Sequence, residues 1–300
     1  MKERAQIMHY TGQIYRPPME AETPLLEITA GCTHNKCAFC TMYNETPFRV
    51  SKLEDVKEDL AEMRQMYGKN LERIFLLNGD AFALPTEKLL KISELAREEF
   101  PNIKTLSCYA SIRNIARKSE EELRQLRNAR CNDLYLGLES GWGPALIQMR
   151  KGFTIEDAYR ELARLKEADI RYGALLMFGI GGKGNGKVNA TETARLLNSY
   201  MPFVISAVPT AIAPESDLAK MRDAGEYKTP TERELIEEEI MFLDGLDDGK
   251  ECYFFGRHPY NTVPVDGFIK NRDRMTAQLK SALHALSPQF LDSCQQRGHL

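Results

Sequence analysis

Nowhere in the sequence do some 18 apolar residues run together, so no helix is encoded that would cross a bilayer. The opening Met1-Lys2-Glu3-Arg4 leads into no apolar stretch of the kind a secretory leader needs. Charge of one sign is also missing. Forty Lys and Arg stand against 43 Asp and Glu, a formal net charge of −3. That argues against a strong nonspecific hold on nucleic acid or anionic membrane, although a local basic channel stays open. The seven cysteines are odd in number and scattered apart from one cluster, which is no disulfide framework. A reducing, cytoplasmic setting is expected.

What the chain does contain is material for a core. It has 300 residues, 43% apolar and 28% charged, enough for one large or two modest domains. Its most specific stretch is Gly31-Cys32-Thr33-His34-Asn35-Lys36-Cys37-Ala38-Phe39-Cys40, directly after the apolar run Leu25 to Thr29. Thiolates gathered this closely on a loop leaving a strand suit a soft metal or an iron–sulfur cluster. Three cysteines leave a cubane cluster one ligand short, and that open position is where a small molecule can enter. A zinc site with His34 as fourth ligand is a rival, but structural zinc usually draws on two separated ligand pairs, and no second pair is evident. A redox pair at Cys37 and Cys40 leaves Cys32 unexplained.

Hydrophobic patterning predicts strands at 25–29, 73–77, 104–109, 133–138, 172–178 and 203–208. Between them come helices at 51–67 (capped by Ser51 and ended by Gly68), 86–100, 119–128, 155–168 and 191–200. Strands alternating with amphipathic helices imply parallel βαβ units. The pattern alone leaves an open six-strand barrel, a full eight-strand barrel and a doubly wound sheet equally open. In all three, ligand groups belong at the C-terminal strand ends. After the second strand comes Asn78-Gly79-Asp80; after the third, Ser111 and Arg113; after the fourth, Gly137-Leu138-Glu139-Ser140-Gly141 and then Met149-Arg150-Lys151-Gly152. After the fifth, five glycines fall between 179 and 186. A phosphate-loop reading of these glycines fails because Val188 follows Lys187, and the Gly179, Gly181, Gly184 spacing lies far from the first strand, where a dinucleotide fingerprint belongs.

The cysteine loop resembles the signature of the radical S-adenosylmethionine (radical SAM) enzymes, Cys-x3-Cys-x2-Cys with an aromatic before the last cysteine. Phe39 fills the aromatic place and Cys37-x2-Cys40 matches, whereas Cys32-x4-Cys37 is one residue too long. An extra residue adds at most about 3.5 Å of reach, which a bulged loop absorbs. The later segments resemble the branch that includes tRNA-modifying and methylthio-transferring members. The resemblance spans about residues 22–210. It implies an α/β fold, a partial (β/α)6 barrel of the radical SAM type with a mostly helical C-terminal extension. The division expected is a lead-in at 1–21, a core barrel at 22–210 and an extension at 211–300 that covers the substrate side.

The resemblance further implies that Cys32, Cys37 and Cys40 hold a [4Fe–4S] cluster whose unique iron is chelated by S-adenosylmethionine. One-electron reduction then yields methionine and a 5′-deoxyadenosyl radical that abstracts hydrogen from a substrate. Asn78, Gly79 and Asp80 are expected at the methionine amino group, Ser111 and Arg113 near the cofactor, and Glu139 at the ribose hydroxyls. Lys151 is expected at the methionine carboxylate, where Lys replaces a commoner Arg and makes a point-charge contact. Gly179 and Gly181 are expected against adenine. An electron donor such as a flavodoxin or ferredoxin is implied, and an oxidoreductase without a membrane partner. Without the resemblance, Glu139 and Lys151 read as surface charges. The chain shows no second cysteine cluster, added nucleic-acid domain or separate cobalamin-binding domain. The glutamates of 231–243 read as a solvated face, His258 with Tyr260 as a substrate-side pair, and 272–285 as a final helix capped by Lys270-Asn271. Two other readings remain: a cluster- or zinc-binding module without turnover, and an RNA-modifying enzyme.

Overall fold

A computed structural model describes residues 8–248 and 251–298. Residues 1–7 of the expected lead-in, and 249, 250, 299 and 300 of the expected extension, lie outside the described residues. The strands are mostly parallel and are accompanied by helices. The chain divides into two compact units.

The first unit comprises Met1–Asn35, Tyr43–Leu136 and Arg164–Arg171. It carries β1 (Leu25–Glu27), a small antiparallel pair β2 (Thr29–Ala30) and β3 (Arg49–Val50), then β4 (Arg73–Leu77), β5 (Thr105–Ala110) and the start of β6 (Asp133–Glu139). The order β1-β4-β5-β6 is parallel throughout. Ile74 to Leu77 are all buried, as a continuous apolar strand covered on both faces must be. Helix Leu53–Tyr67 follows, but Ser51 does not cap it, because Lys52 takes the cap position without a side-chain bond. Ser51 instead donates its backbone N–H to Ile28 O at 3.1 Å, continuing the β2–β3 pairing. Gly68 ends the helix at φ 71°, as expected. At the strand starts, Arg73 bonds Glu20 and Asp133, Arg171 joins Asp133, and the Tyr135 hydroxyl donates to Glu20 at 2.8 Å. The lead-in is therefore tied to the strand ends by charge.

The second unit comprises Lys36–Met42, Gly137–Ala163 and Tyr172–Leu300. It carries β7 (Arg171–Phe178) from Tyr172 onward, β8 (Val204–Pro209), β9 (Tyr253–Gly256) and β10 (Val265–Phe268), ordered β7-β8-β9-β10. The first three are parallel and the last is an antiparallel partner that sequence patterning did not reveal. The helix after β7 begins at Gly186 rather than Thr191. Helix Arg272–Ala285 has the expected limits but is not the last, since a short helix Pro288–Leu291 follows, and Asn271 makes no side-chain cap.

The expectation that the glutamates of helix Glu232–Asp244 face solvent holds for Glu237, which is exposed, and is overturned for Glu232, Glu238 and Glu239. Thr231 and Glu234 form a capping box, while Glu232, Glu238 and Glu239 are buried. The helix lies among other elements and carries its acids inward, where partners exist: Glu232 accepts from Arg297 at 2.7 and 2.8 Å and bonds Thr262. Replacing Arg297 by Leu leaves Glu232 buried without its cation, and is expected to cost about 3 kcal/mol. Urea unfolding checks this, and adding Glu232→Leu is expected to restore most of the loss.

Candidate functional site

In the first unit, the cysteine loop leaves β2 through Gly31 at φ +73°, where a Cβ would meet Thr46 O at 2.5 Å. Thr33 donates its N–H to Asp80 Oδ2 at 2.9 Å, and its hydroxyl bonds the same oxygen. Asp80 is buried. Burial pushes its carboxyl up, while Thr33, Asn114 and Arg113 oppose the rise. Arg113 Nη1 donates to His34 Nδ1 at 2.6 Å, which puts the neutral ring's proton on Nε2. Asn35 adopts φ 39° and donates to Tyr43 O at 3.1 Å. This left-handed step falls within the Cys32 to Cys37 interval.

The Tyr43 ring lies where a Gly79 side chain would be, 2.4 Å from a Cβ built there. Asn78 donates to Thr29 O at 3.2 Å and to Glu27 Oε2 at 3.4 Å, and its buried Oδ1 has no partner among the described residues. Ser111 caps helix Ile112–Ala116 in a reciprocal box with Asn114, so its oxygen is already engaged. The first unit thus brings Asp80 and Arg113 onto the cysteine loop and gives Ser111 a capping task.

In the second unit, Ala38 donates its N–H to Met149 O at 3.0 Å and accepts from Leu218 N–H at 2.7 Å, pinning the loop on both sides. Phe39 sits in an apolar cluster with Met149, Met177, Ile180 and Tyr227, against which Cys37, Cys40 and Trp142 pack. Lys151 and Glu139, read from sequence as surface charges without the resemblance, have side chains only 9% and 12% exposed and meet at 3.1 Å. Gly137 makes room for them, since a Cβ there would lie 2.6 Å from Glu139 Oε1. Burial pulls the Lys151 ammonium down, but Glu139, Cys37 and Cys40 outweigh it and hold the group above its ordinary range. The same ammonium favours thiolate at Cys37 and Cys40. Its Nζ also stands 5.5 Å from the Phe39 ring centre.

Gly179 has φ +78°, and a Cβ there would lie 2.7 Å from both Pro230 and Leu235. Gly181 lies against Trp142, whose ring would be 3.0 Å from a Cβ. A cavity of about 580 Å³ opens beside Trp142, Gly181, Gly182, Lys183, Tyr227 and Lys228. Sequence reasoning did not single out Trp142, Asn189 or Glu238, although Glu238 accepts the Gly179 N–H at 2.9 Å. Its charge sits in a run of acids that mimics a solvated face. His258 and Tyr260 do pair, ring centres 4.9 Å apart. Among the described residues, no three or more His, Cys, Asp or Glu side chains converge so as to hold a single metal ion. None of the described helices is long and apolar enough to cross a membrane.

Comparison with known proteins follows from this geometry. The family model for the Radical SAM superfamily matches residues 26–197. Coproporphyrinogen III oxidase (HemN) of Escherichia coli superposes with a TM-score of 0.58 at 17% identity, over 74% of this chain and 52% of that one. The archaeal Methanocaldococcus infernus Elp3 gives 0.55 at 14% identity, over 91% and 65%. A tRNA uridine(34) acetyltransferase of Methanocaldococcus infernus is 25% identical over 120 residues, 40% of this chain. The matched part spans only 22% of that relative's length. The chain belongs to the radical SAM superfamily, whose enzymes use a [4Fe–4S] cluster and S-adenosylmethionine.

Burial pushes the Glu238 carboxyl up to about 8, against the pull of Asn189 and Gly179. The folded chain thus holds this proton more tightly than the unfolded one. The stability it contributes is full below the ordinary carboxylate pKa and is lost as pH rises through about 8. The melting temperature of the wild type relative to Glu238→Gln is expected to fall between about pH 5 and about pH 8.5. Parallel melting curves across that range contradict this.

Proposed function

We propose that this chain binds S-adenosylmethionine at a [4Fe–4S] cluster held by Cys32, Cys37 and Cys40 and cleaves it reductively to attack a substrate by radical chemistry. The observation that carries this reading is Lys151, a buried ammonium whose charge is felt by Cys37 and Cys40 and which rests on Glu139. The donor set fits the group: three partly exposed thiols lie within nine residues, and Cys37 and Cys40 feel the charge of the Lys151 ammonium. A cubane cluster takes each thiolate on a different iron, so its ligands need not converge on one point.

Held by Cys32, Cys37 and Cys40, a [4Fe–4S] cluster would supply the single electron needed for reductive cleavage of the C5′–S bond of S-adenosylmethionine. The protein's own part is placement and exclusion of water. Lys151 pairs with the methionine carboxylate and Glu139 accepts from the ribose hydroxyls, each exchanging part of their mutual contact for the ligand. Asn78 Oδ1, buried without a partner among the described residues, and Asp80 offer acceptors to the methionine ammonium beside Gly79. Gly179 and Gly181 present bare backbone to adenine, and Phe39 with its apolar neighbours keeps water from the thiols. Ser111 keeps a hydroxyl proton to donate, and Arg113 holds His34 in place. The electron comes from a flavodoxin or ferredoxin. A transfer-RNA substrate is a second reading, favoured by the likeness to the tRNA uridine(34) acetyltransferase. Binding of tRNA that weakens steeply with salt selects it.

Anaerobic reconstitution is expected to load about four irons per chain in the wild type and to fail in Cys37→Ala. The electron paramagnetic resonance signal of the dithionite-reduced cluster is expected to change on adding S-adenosylmethionine. A cluster indifferent to the cofactor, or stoichiometric zinc with no cluster, overturns the reading. Lys151→Met is expected to keep the cluster while raising the cofactor's Kd about tenfold or more, as loss of a buried charged contact should.

A further inference from the structure

Helix Glu232–Asp244 reaches the glycine-rich turn after β7 with two carboxylates. Near the surface, Glu234 Oε1 accepts the Gly184 N–H at 2.9 Å. The second, Glu238, is 1% exposed and does more. Its Oε2 accepts the Gly179 N–H at 2.9 Å, and its Oε1 accepts from Asn189 Nδ2 at 2.6 Å. Asn189 Oδ1 in turn accepts the Ser140 hydroxyl at 2.5 Å, and Ser140 Oγ accepts the Trp142 N–H at 2.8 Å. A continuous line of hydrogen bonds thus joins the turn after β7 to the turn after β6.

The direction of every bond in this line follows from one group. Both Glu238 oxygens accept in this arrangement, one from the Gly179 N–H and one from Asn189, so Asn189 turns its amide nitrogen toward Glu238 and its oxygen toward Ser140. Ser140 then has its proton committed to Asn189 and a lone pair available for Trp142. Gly186 lies tight against the same carboxylate, since a Cβ there would be 3.0 Å from Glu238 Oε2. Burying an acid between two N–H donors costs more than packing an apolar side chain of similar size, so its placement buys geometry rather than stability. Glu238 also lies outside residues 26–197, the stretch that matches the superfamily, so the later part of the chain supplies it.

We infer that Glu238 is a positioning residue for the adenosine part of S-adenosylmethionine, setting the turn Glu139 to Trp142 and the turn Gly179 to Gly182 at a fixed mutual distance. The inference rests on the reading above, in which those turns hold ribose and adenine. An amide at this position offers one acceptor to two donors, so one buried N–H loses its partner unless Asn189 and Ser140 reverse. Methionine, held elsewhere, is not expected to sense the change.

The test uses reconstituted, cluster-loaded protein under anaerobic conditions. Binding of S-adenosylmethionine, 5′-deoxyadenosine and methionine is measured for wild type, Glu238→Gln, Glu238→Ala and Leu279→Ala. Leu279 is fully buried on helix Arg272–Ala285, and its truncation serves as a control for lost stability alone. In Glu238→Gln, iron content is expected to hold, S-adenosylmethionine and 5′-deoxyadenosine to weaken about tenfold, and methionine to bind as before. Leu279→Ala is expected to lower the melting temperature without changing any of the three. Wild-type affinity in Glu238→Gln and Glu238→Ala overturns the inference while leaving the proposed cofactor site standing. So does a loss shared equally by 5′-deoxyadenosine and methionine that tracks the melting temperature. A fully loaded wild type that binds no S-adenosylmethionine removes both readings.

Discussion

The stretch from Cys32 to Cys40 forms neither helix nor strand, and so gives up the regular hydrogen bonds of both. Every polar backbone group of that loop must then be satisfied from elsewhere. In the first unit Asp80 takes the Thr33 N–H and Asn35 reaches Tyr43 O. In the second, Met149 O takes the Ala38 N–H and Leu218 N–H donates to Ala38 O. Much of the local sequence around the strand ends answers this requirement. Gly79 is bare because the Tyr43 ring occupies its place, and Gly31 because the chain passes Thr46 there at close range.

The same loop dictates the electrostatics around it. Thiols that are to ionise need positive charge nearby, and an ammonium in an apolar setting needs a carboxylate to remain charged. Lys151 meets the first need and Glu139 the second, at 3.1 Å. Glu139 in turn fits only because Gly137 carries no side chain. Each step places a more demanding condition on its neighbour, so the cluster of conditions falls within the span Gly137 to Gly152. Charges elsewhere in the second unit follow another logic: Glu232 and Arg297 close on each other and join the chain's last described segment to a helix.

Legibility from sequence followed the range of the interaction. Arg73–Leu77 and Arg272–Ala285 appear with the expected limits because a continuous apolar run and a helical period are local signals. The strand Val265–Phe268 was not legible, being four residues with only its first fully buried. Thiols and glycines stood out by spacing, and the radical SAM resemblance ordered the strand-end motifs around them. Glu238 did not stand out, because its partners Asn189 and Gly179 lie 49 and 59 residues away. Nothing in a run of glutamates tells which will turn inward; that is decided by which donors the folded chain brings opposite. Ser51 and Ser111 make the same point at short range. Ser51 was expected to cap and does not, because it is drawn into the β2–β3 pairing, whereas Ser111, expected near the cofactor, does cap a helix.

Backbone conformation marks the same place independently. Glu139 stands at φ 62° and Arg150 at φ 54°, in the left-handed region that costs a residue with a side chain about 1 kcal/mol or more. Neither is a glycine, although Gly137, Gly141 and Gly152 are close by in sequence. A glycine at 139 would relieve the strain and forfeit the carboxylate that supports Lys151. At 150, it would forfeit the contact of Arg150 with Asp217 at 2.7 Å. The chain therefore tolerates strain at the end of β6, where Glu139 turns inward, and again after helix Gly143–Gln148, where the exposed Arg150 directly precedes Lys151. Lys151, the cation beside the thiols, stands directly after one of these two strained residues and is paired with the other.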